Sequence, residues 1–529
     1  MRRAFRRSPC GSAWCVERVQ RTLEYQGRSR NFELSSGLSP GGRLFMSTPS
    51  HLFRTERSFF PWYEYLLFLS AALTTSLLIV FLEPLLLIVL IAVGAILASC
   101  AILLGSLRTW PYLYVAAVVA IPPFYPTVLG GNTPVYVSNV FFLAGCLVVL
   151  VRYRDFQPRL DPIAKAGAIF LGALALSLPF GFWISGTPEG SDSCLRFFLL
   201  LQPFFAYYWI GGLKPGGHKD SLPFLVKFLL GLGAVAAIYG IIDFYSPIPI
   251  PHPFADQYIY LGGRMIRRAQ GMLYEASSFG NLSAFFLSLT LVLLVSLWKE
   301  LSITSKGTLY LMAGVFTTAL FLSYSRGSWA NLFVTVTVFL ILQQKHPLRL
   351  AAATILVVAG FVFVVYQISP LVVLNFFDWR MGSLLEFWSD PNLATSGRWE
   401  NWSRLVTFFA DHPWYLIFGI GYKTLPHTSL FGKALIADNG FMSLTFEAGV
   451  FGLAALLRLN RAVFGSMYKA SLQEGSRRGI CAGFMFAFWC GEMVQMMTGD
   501  IFTYWRNMVV FFAVMAVVQE AREESVGKA

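Results

Sequence analysis

Arg326 stands in the polar hexapeptide Ser323-Tyr324-Ser325-Arg326-Gly327-Ser328, between two apolar stretches. A guanidinium at a membrane boundary is costly unless an anion meets it or its head reaches water. Three more arginines raise the same question. Arg196 lies at the edge of an apolar run, Arg268 follows Arg267 shortly before Glu275, and Arg398 follows Gly397 at the start of a Trp-rich segment, where free backbone N–H groups lie beside it. Planar guanidinium groups match phosphate oxygens, and a group of them stabilises a departing diphosphate as a metal ion would. Two carboxylates complete the set. Asp438, followed by Asn439, and Glu275 both stand where an apolar run begins, positions suited to taking a proton from an incoming hydroxyl. Asp438 is the first choice as base and Glu275 the second.

Each assignment has a structural alternative. Arg196 and Arg326 read either as anion ligands or as side chains snorkelling to the interface. Asp438 reads equally as a helix N-cap before Asn439-Gly440, and Glu275 as an ion-pair partner that orients Arg268. Arg264, Arg380 and Lys433 read as solvated loop surface.

The elements that must carry these residues are membrane helices. The chain has 529 residues, 56% hydrophobic and 13% charged. Its apolar runs repeatedly reach the roughly 20 residues that cross a bilayer. Fourteen spans are expected, centred near residues 72, 94, 115, 144, 172, 204, 232, 287, 315, 335, 359, 446, 488 and 510, the third broken by Pro122 and Pro123. The fold expected is an all-α polytopic bundle, with residues 58–520 as the membrane domain and 521–529 as a cytoplasmic tail.

Residues 1–57 carry eleven Arg and four Glu ahead of the first long apolar run, which marks a basic, disordered cytoplasmic tail rather than a cleavable signal peptide. Met46-Ser47-Thr48-Pro49 inside it resembles an ordinary start, so translation of the preceding stretch is an open question. With that tail inside, thirty of the 41 basic residues fall on the cytoplasmic side. Both termini are then cytoplasmic. Nine of the eleven outward cations lie between Arg264 and Lys433.

Two outer connections stand out, at about residues 244–278 and 370–434. The first opens with a Pro-rich run, Ser246 to Pro251, expected to be an extended spacer. The second is much longer than a common helix connection, which favours function. Within it Trp399, Trp402, Leu405, Val406 and Phe409 recur at helical spacing, with Arg404 among them. That amphipathic helix suits a membrane interface or a cap on the bundle. Further on, Gly419-Ile420-Gly421 permits close backbone approach, and Gly449 and Gly452 suit tight helix packing.

Seven cysteines and six histidines are scattered without metal-ligand spacing, and no phosphate-cradling Gly-rich Lys-Ser/Thr loop occurs. No metal or cofactor is expected.

Five short features occur in an order that resembles the O-antigen ligase and polysaccharide polymerase superfamily: Arg268 with Gly271 and Glu275; Ser325-Arg326-Gly327; Gly397-Arg398 then Trp402; His412-Pro413 with Gly419-Ile420-Gly421; and Asn439 with Gly449 and Gly452. They cover roughly residues 264–455. The resemblance implies a helical membrane protein whose outward loop serves glycan transfer from a polyprenyl-pyrophosphate donor. The physical reading of the residues puts Arg196, Arg268, Arg326 and Arg398 at the pyrophosphate, Asp438 and Glu275 at the acceptor, and Asn439, Arg404 and Trp402 in support. Ligases of this kind carry His-Asn where this chain has Asp438-Asn439, a departure that favours the polymerase branch. Partners implied are a polyprenyl-pyrophosphate-linked oligosaccharide, a growing glycan acceptor, a chain-length regulator and a flippase, at the bacterial inner membrane.

Two other readings remain. One is ligation of glycan to a lipid core or protein. The other is a transporter or flippase, against which stand the clustering of charge on one face and the lack of an internal repeat.

Overall fold

In the computed structural model the described residues are 110–123, 136–156, 160–212, 221–246, 257–261, 264–342, isolated positions from 352 to 382, 386–395, 397–431, 435–473 and 476–526. The basic segment 1–57, the Pro-rich run from Pro247 to Pro251 and the span centres near 72 and 94 lie outside them. Around residue 359 only scattered positions are described.

Because a bilayer offers no partners to peptide groups, an apolar chain satisfies them internally as helices. The first five are α1 (Trp110–Ala120), α2 (Val137–Val151), α3 (Pro162–Phe180), α4 (Thr187–Gly212) and α5 (Ser221–Tyr245). After a short hairpin come α6 (Ala276–Ser296), α7 (Ile303–Leu322) and α8 (Arg326–Leu342). The long connection contributes α9 (Pro391–Ala394), α10 (Arg398–Asp411) and α11 (Tyr415–Phe418), and the chain closes with α12 (Gly440–Ser471), α13 (Arg477–Met496) and α14 (Trp505–Val526). Among the described residues eight helices are long and apolar enough to cross a membrane. The all-α polytopic bundle expected from the sequence is the fold observed. α1 stops at Ala120, just before Pro122-Pro123. α14 continues helically to Val526, so positions 521–526 extend the last helix where a tail was expected.

α6 and α14 are buried almost throughout and form the centre. Phe285 and Phe511 meet there with ring centroids 4.8 Å apart. Around them α8 packs on α13, α4 on α14 and α12 on α3. Consecutive spans run antiparallel, so one end of the bundle gathers the start of α4, α6, α8, α12 and α14 and the finish of α3, α5, α7 and α13. At the opposite end Arg477 pairs with Glu300 at 3.3 Å and Lys306 covers the Trp298 ring.

The hairpin, β1 (Tyr258–Leu261) and β2 (Arg264–Arg267), pairs Tyr258 with Arg267 and Leu261 with Arg264. Sequence reading treated this stretch as loop. The signal was present: Gly262-Gly263 lies between two runs of strand-forming residues. Arg267 ties the hairpin to the end of α5 through Asp243, Nη2 to Oδ2 3.2 Å.

α12 is broken at Gly449, whose φ of +68° no L side chain adopts comfortably. The break frees carbonyls of the preceding turn, and the loop after α11 takes them up: Ile420 N donates to Phe446 O and Gly421 N to Glu447 O, each at 3.0 Å. A Cβ on Gly449 would collide with Ile417 O, and one on Gly419 with Glu447 O. Gly449 therefore serves a backbone break and loop docking rather than the helix packing expected.

Candidate active site

At the site end, the chain entering α6 makes a tight passage. Gly271 (φ +57°) lies against the Phe279 ring, Tyr274 is left-handed at φ +55°, and Glu275 takes the N-cap position of α6 in extended backbone. Ala269 N donates to Leu322 O at 2.9 Å, which fastens this passage to the end of α7. Arg268 then reaches the α7 terminus, its Nε donating to Ser323 O at 2.8 Å and its Nη2 to Ser277 Oγ at 3.3 Å. A cation there complements the helix's exposed carbonyl end. Burial above all lowers the Arg268 pKa to about 10, so it stays charged at neutral pH while already stripped of much of its water.

The expected ion pair between Arg268 and Glu275 does not form; the described partners of Arg268 are the Ser323 carbonyl and Ser277. Glu275 has no hydrogen-bond or ion-pair partner for its carboxylate among the described residues. Burial pushes its pKa up to about 7, with Asp438 and Asp500 adding to the rise and Arg268 and Lys423 opposing it. A carboxyl group poised near neutrality with free oxygens suits a general base.

The turn between α7 and α8 has Tyr324 at φ +50°. Ser325 Oγ accepts from Ser328 N at 3.4 Å and contacts Ser328 Oγ at 2.8 Å, which caps the start of α8 where Arg326 begins the helix. Arg326 and Arg398 lie within electrostatic reach of each other, and so do Arg398 and Arg268. Like charges gathered this way favour an anion between them.

Arg398 is the first residue of α10 after Gly397 (φ +83°), and its Nε meets Asp438 Oδ2 at 2.9 Å. Two further bonds lash α10 to the same segment: Asn401 Nδ2 donates to Ile436 O at 3.2 Å, and Trp402 Nε1 donates to Ala437 O. Beneath, Leu405 and Phe409 pack on Ile420, Leu425, Leu435 and Phe446. Val406, expected on the apolar face, is exposed.

Asp438 is left-handed at φ +44° and does not cap α12. The cap is Asn439, whose Oδ1 accepts from Phe441 N and Met442 N, both at 3.1 Å. The capping alternative weighed for Asp438 thus belongs to its neighbour, and Asp438 gives one oxygen to Arg398.

Arg268, Glu275, Arg326, Arg398 and Asp438 are thereby brought together from four separate stretches of chain. Arg196 is not part of that group of contacts. Its Nε binds Asp192 Oδ2 at 2.6 Å, one turn earlier on α4, and its Nη2 lies 3.4 Å from His427 Nε2. Asp192 thus supplies Arg196 with a counter-charge on its own helix. Arg404 pairs with Glu400 at 2.5 Å on the open face of α10, both about half exposed at 49% and 52%, and does not face the group.

Sequence reasoning missed a second layer. Lys423, left-handed at φ +60°, forms a buried ion pair with Asp500, and Ser193 Oγ donates to Tyr422 O. Gly440 N donates to Gly499 O at 3.2 Å, joining the start of α12 to the connection between α13 and α14. Asn281 Nδ2 donates to Glu492 Oε1 at 2.6 Å and Asn331 Nδ2 to the same oxygen at 2.8 Å, a buried polar knot among α6, α8 and α13. Arg506 is buried and donates to Val118 O (2.6 Å), Met272 O (2.8 Å) and Ile121 O (2.8 Å), so its role is to tie α14 to the end of α1. None of these forms a motif in sequence.

Residues 309–457 match the family model described as O-antigen ligase, a span that includes Arg326, Arg398, Trp402, Arg404, Asp438 and Asn439. Arg196, Arg268 and Glu275 lie before it. The search of curated proteins returned no match. In this segment the chain, a polytopic helical membrane protein, is similar to the O-antigen ligase family.

Proposed function

We propose that the protein lengthens a glycan by transferring oligosaccharide repeat units from a polyprenyl-pyrophosphate donor at the non-cytoplasmic face of the bacterial inner membrane. The observation that carries this reading is the convergence of Arg268, Arg326 and Arg398 with Glu275 and Asp438 at one end of the bundle. A headgroup whose isoprenoid tail stays in the bilayer would present its diphosphate at this depth. The acceptor hydroxyl attacks the anomeric carbon, its proton passes to Glu275, and the carbon–oxygen bond to the diphosphate breaks. The arginines stabilise the charge that develops on the departing polyprenyl diphosphate. Asp438 holds Arg398 in place, and the order of the two carboxylates is thus the reverse of the sequence reading. A chain-length regulator and a flippase are the partners such a reaction would use.

Asp438 in place of a histidine before Asn439 supports polymerisation. The matched family's description supports the second reading, ligation to a lipid core or protein. Product analysis in a deletion strain separates them. Single lipid-linked units accumulate if a polymerase is missing, and long lipid-linked chains if a ligase is missing. Units trapped on the inner leaflet would instead indicate a flippase and overturn both.

A further inference from the structure

Phe387 and Trp388 sit at the centre of a turn at residues 386–389, closed by Ser389 N donating to Glu386 O at 3.0 Å. Trp388 is 93% exposed, and Trp399, in the first turn of α10, is 44% exposed. Phe387 touches both indoles edge to face, with ring centroids 5.4 Å from Trp388 and 6.2 Å from Trp399. Trp402 continues the row at 6.4 Å from Trp399, and its Nε1 donates to Ala437 O, beside Asp438. The row is also fixed from the α9 side: Trp399 N donates to Thr395 Oγ1 at 3.1 Å and Gly397 N to Asn392 O at 2.7 Å. Large rings held in place yet left open mark a contact surface.

We propose that Phe387, Trp388 and Trp399 form a binding site for the glycan carried on the lipid diphosphate, with sugar rings stacked on the two indoles. A pyranose has a face of C–H bonds, which meets the negative face of an indole, and a rim of hydroxyls, which needs polar neighbours. Both are present. Glu400, Asn401 and Arg404 lie along the same helix, and among the described residues neither indole N–H is hydrogen-bonded. A helix lying in the bilayer interface keeps its apolar stripe for lipid, whereas Leu405 and Phe409 of α10 are already buried against Ile420, Leu425 and Phe446. The location selects the glycan of the donor. Arg398, the chain neighbour of Trp399, reaches the reacting group through Asp438, so a diphosphate held by the arginines has its first sugar where the aromatic row begins. The site rests on the reading of the arginines as a diphosphate pocket and adds to it the part that grips the sugars.

The test uses the full-length protein in lipid nanodiscs and compares two probes, polyprenyl diphosphate without sugar and the lipid-linked glycan that accumulates in the deletion strain. Wild-type protein should bind the glycan-bearing probe more tightly. Trp388→Ala and Trp399→Ala should each weaken that binding about two- to tenfold, the worth of one ring contact, and leave the sugar-free probe unaffected. Trp399→Tyr, which keeps a ring face, should stay close to wild type. Equal weakening of both probes would reduce the rings to a structural role, and unchanged affinity for the glycan-bearing probe would remove them from the site; either result overturns the proposal. So does quenching by brominated lipids that disappears in Trp388→Phe and Trp399→Phe, since it would assign the indoles to the bilayer. Glycan freed from lipid and diphosphate by mild acid separates the two readings. If wild-type protein binds it through Trp399 but does not bind the sugar-free diphosphate, the diphosphate pocket falls and the sugar site stands.

Discussion

Arg398 and Asp438, forty positions apart in the chain, meet with Nε 2.9 Å from Oδ2. The pair joins the first residue of α10 to the residue before the cap of α12, so it fixes the long connection against the bundle where the site lies. Partly exposed at 26% and 44%, it contributes modestly to stability and chiefly sets direction. Asp438→Asn is expected to lower transfer about tenfold, the scale of one lost charge-assisted hydrogen bond. Elongation assays on membranes carrying the variant check this. A fall of four orders of magnitude would restore Asp438 as the base.

Glu275→Gln removes the proposed proton acceptor while preserving shape. The expected loss in kcat is about 10²- to 10⁴-fold, with donor affinity retained. Separate measurement of donor binding and turnover decides whether the group acts in chemistry or in binding.

The pH dependence follows from the same residue. The pKa of Glu275 is raised to about 7 by burial, and the base works only when ionised, so activity should climb as pH rises through about 7. The stability effect has the opposite sign. Between the ordinary carboxylate range and about 7 the folded state holds the proton that the unfolded chain has released, so this group's contribution becomes less favourable as pH rises across that window. Glu275→Gln should abolish the limb in any residual activity and flatten the stability slope.

Gly449→Ala places a side chain at φ +68°, against Ile417 O, in the break of α12. Backbone strain of about 1–3 kcal/mol is expected, with release of the loop that carries Lys423. Accelerated proteolysis between residues 411 and 431, together with a lower melting temperature, would report it.

Asn439→Ala should destabilise by about 1 kcal/mol through loss of the α12 cap, whereas Asn439→Ser should be nearly neutral. Arg404→Ala should leave activity unchanged, since its pair with Glu400 lies on the exposed face.

Hydropathy made the bundle legible because a helix long enough to span a bilayer writes its length into composition. The helical period of Leu405 and Phe409 marked α10 in the same way. Arg268, Arg326 and Arg398 stood out because arginine next to an apolar run has few harmless uses. Other features depend on tertiary contacts between distant segments. The Lys423–Asp500 pair joins residues 77 apart, and Asn439 instead of Asp438 as the cap depends on side-chain direction, neither of which local spacing encodes, whereas Asp192 as the partner of Arg196 stands at i,i+4 spacing that the sequence does show. Gly449 was noticed as a glycine, but whether a glycine serves packing or a positive φ is settled only by the backbone it sits in.

The central claim is that guanidinium groups from three stretches of chain bind one lipid diphosphate for transfer of its glycan. Purified protein in nanodiscs, given a polyprenyl-diphosphate-linked oligosaccharide without nucleotide or added metal, should yield longer lipid-linked products. Arg268→Ala, Arg326→Ala and Arg398→Ala should each cut that yield while the protein stays inserted and folded. Undiminished chain lengths in all three variants would contradict the account.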